Sequence, residues 1–232
     1  MEATQYLAAC TVAYARAAQA QPVSECRIDI AGAGIRLRFA GSALKPMVMP
    51  ALAHLEAPAL CAGATAVDVN LWDAATTCIY PPPPPFASAD YHRYGQRALA
   101  DDGRCAVMHA PAVGVLFAYD RAARQGFFWT ADAGPLSIYE RAAPLQTLLH
   151  WALAEFGWQI VHAAAVGTED GGVLLVGNAG AGKSTTALSC LSQPGLRYLC
   201  DDKCLVRLDP APRAFAVFSS GKIKEDMLAY LP

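Results

Sequence analysis

The residues best equipped for chemistry lie in "VLLVGNAGAGKSTTALSC", residues 173–190, where Gly177 and Gly182-Lys183-Ser184 fit the pattern G-x-x-x-x-G-K-[ST]. Small residues let backbone N–H groups converge on phosphate oxygens. The segment from Gly177 through Asn178, Ala179, Gly180, Ala181 and Gly182 to Lys183, Ser184 and Thr185 therefore reads as a nucleotide-binding loop. A helix beginning at Lys183 adds the partial positive charge of its N-terminus. Lys183 is placed to neutralise the β- and γ-phosphates of ATP, and the Ser184 hydroxyl to meet Mg²⁺.

The second group is "YLCDD", a short apolar strand ending in Asp201 and Asp202. A right-handed β-α-β crossover makes this strand parallel to a buried strand over 173–176. The carboxyl ends of both strands then share one edge of a sheet, and both carboxylates face the phosphates. One carboxylate suffices to hold Mg²⁺. The other is free to accept the proton of an attacking hydroxyl, as a kinase base does. Spacing alone does not say which aspartate takes which role. His162, within "QIVHAAAV", reads as a histidine on an apolar strand, and such residues more often satisfy a core than catalyse. His54, His92, His109 and His150 have no constellation around them.

These groups need elements to carry them. "QIVHAAAVG" and "GGVLLVG" read as two strands joined by the turn "TEDGG", and "KSTTALSCL" as the helix that leaves the loop. Upstream, "APLQTLLHWALAEFGW" spaces Leu145, Leu148, Leu149, Leu153 and Phe156 as a helix does, with Pro144 in its first turn and Gly157 at its stop. The sequence thus divides into a β-rich region, residues 1–134, and a second domain, residues 135–232. In the first, residues 1–20 suit a helix and "CRIDIAGAGIRLRFAG" a β-hairpin. "ALKPMVMPALAHLEAP" suits helical pieces broken by prolines, and "ATAVDVNLWDA" a strand. "CAVMHA", "GVLFAYD" and "GFFWTAD" form a meander. The Pro81–Pro85 run cannot join a helix or a central ladder and reads as an extended surface connector.

Composition narrows the partners. With 54% hydrophobic and 16% charged residues the chain has the makings of a packed core, and a formal net charge of −2 supplies no basic field for nucleic acid or anionic lipid. No unbroken apolar stretch is long enough for a spanning helix, and the N-terminus, whose first charge is Glu2, lacks the plan of a signal peptide. A cytoplasmic location follows. The eight cysteines show neither a CxxC pair nor a regular framework, which suits free thiols. Cys200 and Cys204 flank the acidic pair, but no histidine or second cysteine pair stands near enough in sequence to complete a zinc site.

The order of His162, G-x-x-x-x-G-K-S, helix and Asp201-Asp202 resembles the HPr kinase/phosphorylase family, which shares its core design with phosphoenolpyruvate carboxykinase. The likeness runs from about His162 to Lys224. "PLQTLLHWALAEFGWQIVHAAAVG", "GKSTTALSCL" and "YLCDDKCLV" look most like the HPr-kinase-like serine kinases of peptide-modification systems such as lasso-peptide biosynthesis. The resemblance implies an α/β fold with a P-loop kinase core behind a β-rich N-terminal region. It also implies transfer of phosphate from ATP, with Mg²⁺, to a serine hydroxyl on a peptide or protein. Carried over residue by residue, it makes Lys183 and Ser184 the phosphate and metal contacts, Asp201 the general base, Asp202 its metal-side neighbour and His162 the support of the aspartate.

Two departures stand out. Thr185 replaces the glutamate that HPr kinase carries after G-K-S, which argues against phosphorylase activity and against HPr as the substrate. Relatives also continue past "FSSGKIKEDMLAYLP", so the resemblance implies a core that is incomplete at its C-terminal side; Lys222 and Lys224 fall in the region where they carry a basic segment. A P-loop NTPase switch and a nucleotide-binding protein without turnover are the alternative functions, and self-association into a homo-oligomer is compatible with either.

Overall fold

A computed structural model of the chain describes residues 3–58, 66–92 and 97–220, and Cys61, Lys222 and Lys224 lie outside them. The fold is mixed α/β. It separates into two compact units, Met1–Phe156 and Gly157–Pro232, so the boundary follows the long helix of the sequence reading instead of preceding it.

The first unit is built on a seven-stranded mixed sheet. Helix α1 (Ala3–Ala20) leads into strands β1 (Val23–Ile30) and β2 (Ala33–Ala40), a hairpin whose register pairs Ile30 with Ala33. Its two loop residues, Ala31 and Gly32, have φ of 53° and 88°, the left-handed pair that matches strand twist in a two-residue hairpin. After helix α2 (Lys45–Val48) and two short 3₁₀ turns come β3 (Val67–Asp73) and α3 (Ala74–Thr77). The Asp73 carboxylate caps α3 by accepting from the Thr76 N–H at 2.8 Å. Strands β4 (Ala98–Asp101), β5 (Cys105–Ala110), β6 (Val115–Asp120) and β7 (Gln125–Thr130) form an antiparallel meander, and β3 lies parallel to both β2 and β7.

Alpha1 buries Tyr6, Leu7, Cys10, Ala13, Tyr14 and Ala17, spaced along one helical face, against Trp72, Leu116, Ala118, Phe127 and Trp129 of the sheet. The polyproline run is tied to this layer: the Tyr6 hydroxyl donates to the Pro82 carbonyl at 3.3 Å. Helix α4 (Ile138–Ala142), capped by Ser137, precedes α5 (Gln146–Ala154). Pro144 is not in the first turn of α5. Leu145, with φ of 57°, stands between them as the N-cap, so the chain turns sharply before the helix begins. Gly157, at φ 76°, marks the stop. Alpha5 packs on β6 and β7, which is why it belongs to the first unit.

The second unit carries two three-stranded sheets. Strands β8 (Gln159–Val161), β9 (Ala164–Gly167) and β10 (Gly172–Leu175) are followed by helix α6 (Lys183–Ser189), then β11 (Arg197–Cys200), β12 (Cys204–Arg207) and β13 (Arg213–Ala216). One sheet runs β10-β9-β11 and the other β13-β12-β8. The expected single strand "QIVHAAAV" is broken at His162 into β8 and β9, which belong to different sheets.

The partner strands break at the same level. Beta8 pairs with β12 through Val161↔Cys204, and β9 with β11 through Ala165↔Cys200, so equal lengths of chain, 162–164 and 201–203, bridge the gap on the two sides. The two sheets are thus joined by one antiparallel ribbon that opens and closes again in register. Beneath the opening, Ala163, Ala165, Cys200 and Cys204 form a buried cluster of small side chains.

The strand expected to be buried over 173–176 is instead an exposed edge: Val173 is 60% and Val176 71% accessible. An apolar run specifies a strand but not what covers it. Among the described residues no helix is long and apolar enough to cross a membrane.

The small cluster gives a stability prediction. Ala163 is fully buried, so Ala163→Leu should overpack the opening and cost about 1–3 kcal/mol, whereas Val173→Thr on the exposed edge should stay within about 0.5 kcal/mol; urea denaturation measures both.

Candidate functional site

Both β10 and β11 run antiparallel to β9, so they are parallel to each other with β9 between them. Their carboxyl ends reach the same edge of the sheet. The glycine-rich segment leaves β10 there, and Asp201 follows β11 there. Helix α6 closes down on the sheet through Ala187, which is fully buried with Ala164 and Val166 of β9. A larger residue would hold the helix away from the strand that brings Asp201.

Within the loop, Gly177 has φ of 153°, and a Cβ there would stand 3.1 Å from Cβ of Ala181. Gly182 caps α6 at φ 81°. Both positions favour glycine, the first also for lack of room. The Ala181 N–H donates to the Asn178 carbonyl at 3.1 Å, which draws the loop into a turn. The Lys183 ammonium folds back over it, donating to the carbonyls of Gly177 at 2.9 Å and Asn178 at 3.2 Å. The segment 177–181 is exposed, with Asn178, Ala179 and Gly180 open to solvent, while Lys183 and Ser184 are half-buried and Thr185 is exposed on the first turn of the helix.

The Ser184 hydroxyl donates to Oδ1 of Asp201 at 2.9 Å. This bond joins the start of α6 to the end of β11 and brings together the hydroxyl and one of the two carboxylates singled out from the sequence. A hydroxyl and a carboxylate are hard oxygen donors, the set that Mg²⁺ takes. Ser184 and Asp201 are thus the residues that could hold a metal ion at the head of the helix.

Asp202 faces elsewhere. Its Oδ1 lies 3.5 Å from Nδ1 of His162, and its Oδ2 3.8 Å from Nζ of Lys203. The ribbon opening explains the first contact. On one strand the Ala163 N–H reaches back to the Val161 carbonyl at 3.1 Å; on the other the Lys203 N–H reaches back to the Asp201 carbonyl at 2.8 Å. Each is a three-residue turn, centred on His162 and on Asp202. Two turns facing each other push those side chains out together. His162 is therefore on a bend, with its side chain 52% exposed, and not within an apolar strand as its neighbours suggested.

Asp202 has φ of 68°, so its turn is of the sense L-residues rarely adopt, and holding it costs about 1–3 kcal/mol. The resemblance implies that the histidine supports the base Asp201, yet the imidazole stands beside Asp202 and Asp201 is engaged with Ser184.

The surroundings tune the neighbouring groups. Burial, and next the charge of Asp201, pushes the Tyr198 phenol well above its ordinary range. The Cys200 thiol is pushed up first by its hydrogen bond with Cys204 and then by burial, so it stays protonated. Both thiols are free and lie in the small buried cluster. Among the described residues no group of three or more His, Cys, Asp or Glu side chains could hold a metal ion by itself.

Lys203 is the residue that sequence reasoning passed over. Its side chain is only 19% exposed beside Asp202. The available signal was a lone cation between an acidic pair and the apolar "CLV".

The chain matches no protein-family model, and no curated protein is significantly similar to it.

The turn at Asp202 gives a second prediction. Asp202→Gly and Asp202→Ala both remove the carboxylate, but only glycine fits φ of 68° without strain. The glycine variant should be the more stable by about 1 kcal/mol, read from paired urea or thermal unfolding curves; equal stabilities would mean that the turn is unstrained.

Proposed function

We propose that the second unit is an ATP- and Mg²⁺-dependent phosphotransferase whose acceptor is a hydroxyl, best read as a serine of a peptide or protein. The observation that carries this reading is the pair of consecutive carboxylates with separate partners at one strand end, Asp201 on Ser184 and Asp202 beside His162. A protein that only binds or hydrolyses nucleotide needs the first. A hydroxyl acceptor gives a task to the second.

In this reading the loop amides of 177–182 hold the phosphates, and Lys183 turns from the Gly177 and Asn178 carbonyls to the β- and γ-phosphates. Ser184 and Asp201 hold the Mg²⁺, which when bound neutralises charge on the phosphates. Asp202 is the base. It takes the proton from the acceptor hydroxyl as the new O–P bond forms and the bond from the γ-phosphorus to the β,γ-bridging oxygen breaks, with ADP leaving. His162 keeps the carboxylate oriented and passes the proton to water through its half-exposed ring. The resemblance to HPr-kinase-like proteins makes Asp201 the base. Its bond to Ser184 favours the metal side instead, and the place of Asp202 beside His162 favours the proton-accepting role.

The test is transfer of labelled γ-phosphate from ATP to a panel of serine-containing peptides, beside a Lys183→Ala control. Asp202→Asn should lower kcat by about 10²–10⁴-fold and leave ATP affinity within a few-fold. Asp201→Asn should instead raise the Mg²⁺ concentration needed for half-maximal rate by about tenfold or more. EDTA should abolish transfer and added Mg²⁺ restore it. A fully active Asp202→Asn variant removes that residue as base. Fast hydrolysis of ATP without any acceptor would replace the kinase by an NTPase switch, and a nucleotide-dependent rise in Tm with no acceptor labelled would leave a binding protein.

A further inference from the structure

We infer that Lys203 is a positioning residue for the phosphoryl-transfer step, acting on the Asp202 oxygen that His162 does not approach. The inference rests on the kinase reading above and adds to it a group that neither the motif nor the resemblance singled out.

Three observations carry it. Lys203 approaches Oδ2 of Asp202 at 3.8 Å while His162 approaches Oδ1 at 3.5 Å, so the two oxygens of one carboxylate face two different nitrogen groups. Positive charge near each oxygen favours the orientation of the carboxylate that keeps both contacts. The backbone N–H of the same Lys203 closes the turn around Asp202 by donating to the Asp201 carbonyl at 2.8 Å, so one residue braces both the main chain and the side chain of its neighbour. Finally, the lysine is withdrawn from solvent. Its side chain is 19% exposed, against 71% for Arg197 in the surface pair with Glu169.

That last contrast decides between a solvated pair and a working one. Ion pairs open to water are screened and contribute little. A lysine whose stem is buried and whose ammonium ends beside a carboxylate holds its position more firmly. At 3.8 Å the contact is an ion pair and not a tight hydrogen bond, so it acts on the carboxylate through charge. A base misplaced by a fraction of an ångström slows chemistry while leaving binding alone.

The experiment uses the whole chain with ATP, Mg²⁺ and the best serine peptide of the panel. Lys203→Met keeps the buried stem and removes only the ammonium. It should lower kcat about tenfold or more, with KM for ATP within twofold and Tm near that of the unmodified protein. Lys203→Arg, which restores a cation at that place, should recover kcat to within about threefold. If Lys203→Met loses thermal stability, Lys203→Gln serves as the second neutral variant. A neutral variant whose kcat stays within twofold, or an arginine variant as slow as the methionine one, overturns the positioning role. A parent chain that labels no peptide overturns the kinase reading and the role of Lys203 together. A parent that does transfer phosphate while the neutral variants keep its rate overturns the role of Lys203 alone.

Discussion

The second unit depends on a ribbon of two strands that must open without losing register. A backbone leaving a ladder has to find other partners for its N–H and C=O groups. Here each strand does so by folding a residue outward and closing a tight turn behind it, at His162 on one side and at Asp202 on the other. The ladder resumes with Ala165 opposite Cys200, and a bulge between Tyr198 and Cys200 then shifts its register by one residue. Side chains that would have alternated across a sheet are delivered to one place, and the small residues beneath leave the two turns room to meet.

The loop and its helix reach the same place by a different route. Ala187 draws α6 onto β9, and the Ser184–Asp201 bond fastens the start of that helix to the strand end. Consecutive aspartates then serve different neighbours. Both follow the end of β11 on a bend, and Asp202 is in a left-handed conformation. The division of labour proposed for the two carboxylates follows from that change of direction between one residue and the next.

Much of this was legible in the sequence where a pattern has a single geometric meaning. The hairpin at Ala31-Gly32 and the meander of β5 to β7 follow from period and turn chemistry. The crossover argument led to a common edge for the loop and the acidic pair, and the strands do run parallel, though with β9 between them. What escaped depends on partners that periodicity does not name. "QIVHAAAV" carries no sign that its partner strand also breaks, so His162 read as part of a strand. The apolar β10 read as buried although nothing among the described residues covers Val173 or Val176. The leucines of α5 announced a helix but not which sheet it would cover, and the domain boundary moved with it. The separate partners of Asp201 and Asp202 require the turn at Asp202, which only the pairing of β8 with β12 and β9 with β11 defines.

The equal arms of the opening fix the spelling of this part of the gene. Side chains along a strand alternate between faces, so inserting or losing one residue within 162–164 or 201–203 turns the following side chains to the other face unless a bulge, like that between Tyr198 and Cys200, absorbs it. Ala163 and Ala165 would change places with Ala164 and Val166, which pack on the other face with Ala187. Substitution can proceed there letter by letter, but a change in length calls for a matching change in the other arm or a bulge beside it. Homologues of this unit should therefore vary in what these two arms contain and agree in how long they are.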